Sequence, residues 1–217
     1  MRRISWMCVF LFGVGANAIA QQPTPPPKWE ANGSVGLVEA RPGENQSGWD
    51  HWYAQGRYAA AIGYYWTPHL KTEFEYALSG EGARYVQEYV RVGSTFYPYS
   101  FESFHRLQQM SLRMSWQFRE NAWVHPYLSA GFVVDAERQN HYVPPQYLPP
   151  GSRSDELVRL QASLTAGNNV EWRSGVTVGG GAKFYMSKNM FFNAAALATV
   201  SKPASTISLI AGVGIDF

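Results

Sequence analysis

Nine charged residues could do chemistry together: Glu30, Arg57, Lys71, Glu73, Glu75, Arg113, Asp135, Arg173 and Lys183. Several recur at a spacing of two, as in Lys71, Glu73 and Glu75, and residues two apart on a strand share one face. Carboxylates and cations gathered on one face can pair into a neutral polar plug, line a narrow gated water path, or supply an acid–base couple. Isolated buried charge is prohibitive, so pairing of both signs is the reading that the mixture favours. The five histidines (His51, His69, His105, His125 and His141) show no H-x-x-x-H spacing, and no metal or cofactor is implied. Ser103 and His105 are the nearest nucleophile–base pair, placed on one face near a strand start. No orienting acid is evident beside them, so the sequence assigns no catalytic residue.

The elements that would carry these side chains are strands. The final stretch, TISLIAGVGIDF, puts Ile207, Leu209, Ala211, Val213, Ile215 and Phe217 on one face and Thr206, Ser208, Ile210, Gly212, Gly214 and Asp216 on the other. Clean alternation over twelve residues means different solvents on the two sides. The stretch from Trp29 behaves likewise, with Trp29, Ala31, Gly33, Val35 and Leu37 outward and Glu30 inward. Residues 52–66 put Trp52, Tyr58, Ala60, Ile62, Tyr64 and Trp66 outward and Arg57 and Ala61 inward. Further strands follow from Leu70, through Trp116 and Phe118, over 124–136 and over 176–186. The stretch 190–200 is also a strand, but its facing is left open by its run of alanines.

These strands number eight. Long connections (42–50, 91–102, 138–170) alternate with short ones (67–69, 119–121, 187–189), and 201–205 closes the series. Four prolines in the longest connection forbid a ladder there, although 155–165 could hold a short helix capped by Ser154. Alternating long and short connections, an even strand count and one apolar face per strand specify an all-β, eight-stranded antiparallel up-and-down transmembrane β-barrel. Its outward aromatics Trp29, Trp52, Tyr64, Trp66, Trp116, Phe118 and Phe217 form the expected interfacial girdles.

The first 20 residues read as a secretory signal: Arg2 and Arg3, an apolar run from Ile4 to Val14, and Ala18-Ile19-Ala20 for cleavage. That run is shorter than the ~20 residues a helical span needs. Residues 21–28 are a proline-rich periplasmic spacer, and 29–217 is the barrel. Cys8 is the one cysteine and lies in the leader. Losing the leader removes two of 18 Lys and Arg and leaves them matched to 16 Asp and Glu, so nothing recommends nucleic acid.

With HPYLSAGF at 125–132, GGGAKFYM at 179–186 and a terminal Phe217, the chain resembles the small eight-stranded bacterial outer-membrane barrels of the OmpA/OmpX type. The resemblance implies an outer-membrane location, lipid and the barrel-assembly machinery as partners, and a monomer. Gly212, Ile215 and Phe217 would be the assembly signal. The peptidoglycan-binding domain of some members is not expected. The resulting reading is a non-enzymatic barrel serving envelope structure or surface interaction through external loops, with Phe96, Tyr97, Tyr99, Phe101, Tyr142 and Tyr147 as candidate contacts to an unnamed ligand. A small porin is the alternative, and a lipid A-modifying hydrolase is a third.

Overall fold

The computed structural model describes residues 28–41, 53–92, 95–118, 123–142, 169–201 and 205–217; the side chains of 41, 53, 84–92, 95–101, 139, 141, 142 and 169 lie outside that description. The leader, the spacer up to 27 and the 155–165 helix also fall outside it. The strands are β1 (Trp29–Arg41), β2 (Tyr53–Tyr65), β3 (Leu70–Ser79), β4 (Gly82–Val92), β5 (Thr95–Gln117), β6 (Val124–Tyr142), β7 (Asn169–Tyr185), β8 (Met190–Ser201) and β9 (Ser205–Asp216). Each is antiparallel to its neighbours, in the order β3-β2-β1-β9-β8-β7-β6-β5-β4, and a β3–β5 pairing closes the ring.

Nine segments make eight staves because β3 and β4 are one stave broken by a bulge. Leu78 pairs with Gln108, whereas Gly82 pairs with His105, so the β3–β4 side carries one extra residue. The Ser79 hydroxyl repairs the ladder there, accepting the Leu107 amide at 2.7 Å, while the Gly80 amide still reaches the Gly56 carbonyl at 2.7 Å. The last stave meets the first through reciprocal backbone bonds between Trp29 and Phe217, both 2.8 Å.

Two short turns use the same local device. Thr67 Oγ1 accepts the Leu70 amide at 3.0 Å in the β2–β3 turn, and Ser187 Oγ accepts the Met190 amide at 3.1 Å in the β7–β8 turn. A hydroxyl that satisfies the backbone three residues on is what a tight turn selects.

Outward faces carry an apolar belt that includes Leu37, Phe74, Leu112, Leu128, Phe132, Val178 and Leu209, all exposed, with Phe132 at 73 %. Exposed aliphatic or aromatic side chains on every stave make a surface for hydrocarbon. At the short-turn end, Trp29, Tyr64 and Trp66 pack edge to face at 4.9 and 5.0 Å, and Trp116 stacks on His69 at 5.6 Å. Trp116, Phe118 and Phe217 are exposed nearby. Trp52 lies outside the described residues.

The facing of β8, open in the sequence, is decided by Phe191, which is 0 % exposed inside the barrel alongside Asn193, Leu197 and Thr199. Gly214 on β9 makes room for it, since a Cβ there would stand 2.3 Å from Phe191 Cζ.

Two expectations are corrected. The connection expected over 91–102 is paired strand up to Val92 and again from Thr95, and the connection expected over 138–170 shrinks to 143–168. Phe96, Tyr97, Tyr99 and Phe101 therefore belong to the backbone of β5, and Tyr142 is the last residue of β6. Aromatic residues favour strands, and here they extend the β4–β5 ladder to Val92 and Thr95. Tyr147 lies outside the described residues.

Candidate functional site: the charged lumen

Among the described residues the lumen holds two groups of charged side chains. Inward positions of β1, β2, β3, β5, β7 and β9 contribute the first, toward the short-turn end. Arg57 contacts Glu75 at 2.5 Å; Arg113 reaches Glu75 at 3.0 Å and Glu73 at 2.5 Å; Lys71 reaches Glu73 at 2.5 Å and both Glu30 oxygens at 2.9 Å. Lys183 continues the series with an ion pair to Glu30 and lies 3.8 Å from Asp216, which accepts the Tyr185 hydroxyl. The result is a chain of alternating sign with four cations and four carboxylates. Burial of that many charges is tolerable because each has an opposite neighbour and the group is neutral.

Neutral residues brace this chain. The Tyr65 hydroxyl donates to Glu30 Oε2 at 2.8 Å and receives bonds from Lys183 Nζ at 2.6 Å and Gln117 Nε2 at 3.1 Å. Lys183 Nζ also sits 4.3 Å from the Phe191 ring centroid, a cation–π contact. Gly63 leaves space for the Lys71 stem, because a Cβ there would lie 2.8 Å from Lys71 Cδ. A cavity of about 10 Å³ remains beside Asn32, Glu73, Arg113, Tyr127 and Asn193, space for about one water.

The second group lies toward the long-connection end on β5, β6 and β7. Ser103 Oγ is 2.9 Å from His105 Nε2, and His105 Nδ1 is 2.6 Å from Glu137 Oε1. Arg173 pairs with the other oxygen of Glu137 and with Glu171 at 2.6 Å. Ser103, His105, Glu137 and Arg173 are all buried. Along β5, Leu107, Gln109 and Ser111 separate His105 from Arg113, a run of about 26 Å at the usual rise. Buried Val133, Ala77, Leu197 and Ile210 narrow the lumen between the groups.

The nine charged residues singled out by spacing thus fall into two sets. Glu30, Arg57, Lys71, Glu73, Glu75, Arg113 and Lys183 sit in the first, and Arg173 in the second. Asp135, buried on β6, lies opposite Gln109 and Arg173 in register. Among the described residues, the buried carboxylates that spacing did not single out are Glu137 and Asp216. A signal existed for both: Asp216 has the parity of the inward face, and Glu137 follows Asp135 by two. His69 binds the Gln117 carbonyl at 2.9 Å and His125 packs on Tyr185 at 4.7 Å. Among the described residues no cluster of His, Cys, Asp or Glu could hold a metal.

A closed antiparallel ring with an apolar exterior and an ion-paired interior defines a transmembrane β-barrel. The chain belongs to the outer membrane protein β-barrel domain family, whose sequence model matches residues 7–217. No curated protein matches it. Among solved structures it is similar to Neisserial surface protein A (NspA), at 13 % identity and TM-score 0.56, covering 87 % of this chain and 97 % of that one. It is also similar to Ail, the attachment invasion locus protein of Yersinia pestis, at 10 % identity and TM-score 0.49, covering 88 % and 99 %. OprG of Pseudomonas aeruginosa matches at 10 % identity and TM-score 0.49, covering 88 % and 97 %. At these identities the likeness is one of fold. The protein is a small eight-stranded barrel of the bacterial outer membrane.

Proposed function

We propose that this barrel is a closed, monomeric anchor that presents its outer rim and connections for envelope structure or surface contact, with no catalytic role for its charged plug. The observation that carries this reading is the alternating chain from Arg57 to Asp216, whose buried ion pairs cross the lumen from stave to stave. A conducting pore would need that chain to part. The rim supports the same reading, since β5 has 23 residues and β6 19, whereas β8 and β9 have 12 each. One side of the wall therefore rises above the other, on the side of β4 to β7. By the usual arrangement of such barrels, the short turns face the periplasm and this rim faces out. Residues 1–20 act as the cleaved leader and 21–28 as a spacer, and Gly212, Ile215 and Phe217 guide assembly.

The test is planar-bilayer recording on refolded protein, joined to a binding screen against glycans and host or envelope proteins. Near-silent membranes and a binding partner lost on trimming β4–β5 above Gly82 are the expected results. A large, steadily open conductance would replace this reading with the porin one.

A further inference from the structure

We propose that Ser103, His105 and Glu137 form a nucleophile–base–acid relay at the outer mouth of the barrel, able to cleave small acyl esters that enter from the exterior. This goes beyond the display role above and takes from it only the orientation that puts the long-connection rim outside. Ser103 and His105 share a face because they are two apart on β5, and Glu137 comes from the neighbouring β6. The order of contacts is the one that nucleophilic catalysis needs: serine oxygen to one ring nitrogen at 2.9 Å, carboxylate to the other at 2.6 Å. With the ring proton on Nδ1, donated to Glu137, the Nε2 lone pair faces the Ser103 hydroxyl. Arg173 binds the second Glu137 oxygen and is itself tied to Glu171, so the orienting carboxylate is held from behind. The charges of the lower chain alternate in sign and neutralise one another; this group instead sets a neutral hydroxyl at the end of a histidine–carboxylate pair.

Its position selects the substrate. Ser103 faces the lumen and is 3 % exposed, so an acyl chain lying in the bilayer outside the wall cannot reach it. Leu107 and Val133 lie between the relay and the plug, so the way in is from the outer rim. The expected substrate is a short, slender, soluble ester, in place of the bilayer lipid that a lipid A hydrolase would take. In the reaction Ser103 Oγ bonds to the acyl carbon while its proton passes to His105 Nε2. The ester C–O bond breaks and the alcohol leaves with that proton. Water then attacks the acyl-serine, its proton again taken by His105, which releases the acid and returns the hydroxyl. Ester and water become acid and alcohol, with no other reactant.

The experiment uses the full mature chain refolded in detergent, with a small alkyl fluorophosphonate as probe and p-nitrophenyl acetate as substrate. One adduct per barrel, mapped to Ser103 by peptide mass spectrometry, is expected. S103A and H105A should lose it while still migrating as folded barrels on unheated gels. E137Q should slow labelling by roughly 10⁴-fold, as loss of a triad carboxylate does, and should alter the pH profile of the rate. E137D should restore part of the rate, which a purely structural carboxylate would not require. A folded wild type that takes no adduct, or an adduct on another residue, overturns the relay whatever the variants do. Hydrolysis of lipid in vesicles with no turnover of the soluble ester overturns the assigned substrate. Silent bilayers combined with no adduct would leave the anchor reading standing and remove this one.

Discussion

At the scale of single residues, stability in the lumen depends on neighbours of opposite sign. Arg57 and Glu75 are both buried and 2.5 Å apart, so Arg57→Ala leaves a carboxylate short of one partner in a confined space. The expected cost is about 3–5 kcal/mol, reduced to the extent that Arg113 compensates. Adding Glu75→Gln to Arg57→Ala should cost less than the two single changes sum to, and urea unfolding of the three variants in one lipid measures it. Gly214→Ala brings a methyl group to 2.3 Å from Phe191 and 2.8 Å from the Ala31 carbonyl. Neither neighbour can retreat far, so a loss of about 1–3 kcal/mol is expected in the same assay. A Gly214→Ala barrel as stable as the parent would show that Phe191 is free to move.

Within a strand, parity decides what a substitution meets. Ala60 on β2 is exposed in mid-belt, between Gly33 and Tyr76 in register, while Ala61 is buried in the lumen. Ala60→Arg should cost about 2–4 kcal/mol through lipid contact. Ala61→Arg should fail instead by crowding the alternating chain. A lipid-soluble quencher should reach a label at 60 and spare one at 61; the reverse result would shift the register by one residue. The bulge at the β3–β4 junction supplies an element-scale test of its own. Ser79→Ala removes the acceptor of the Leu107 amide, so hydrogen exchange at Leu107 should quicken and stability fall by about 1–3 kcal/mol.

For the whole molecule, closure is the governing fact, because no backbone edge may face hydrocarbon. The Trp29–Phe217 pair and the β3–β5 ladder complete the ring. A closed ring resists detergent, so unheated and boiled samples should run differently on an SDS gel. Identical migration of material with full strand content by circular dichroism would mean that the ring is open. Closure also makes the slanted rim possible, since β4 to β7 can rise above the belt only while the remaining staves hold them upright.

Much of this was legible in the order of residues alone. The alternation from Thr206 to Phe217 and from Leu70 to Ser79 required strands with two unlike faces, because side chains on a strand repeat every two residues whatever they pack against. The same rule set Glu30, Lys71, Glu73, Glu75 and Arg113 on inward faces before any partner was known. Parity says which way a charge points but nothing about which neighbour it meets. That Lys183 joins Glu30 across 153 positions of chain follows from the curvature that brings non-adjacent staves together, and that Glu137 stands behind His105 follows from the β5–β6 register. Two further features were beyond the reach of local pattern. In β8 apolar residues occupy both faces, and only Gly214 opposite Phe191 decides which face enters the lumen. The aromatic stretch after Thr95 read as a connection, yet it pairs as strand with β4, because its aromatic side chains suit a ladder. Sequence determined the barrel because alternation and closure are local or counting rules. Tertiary structure decided the pairing inside it, because ion pairs depend on distances across the ring.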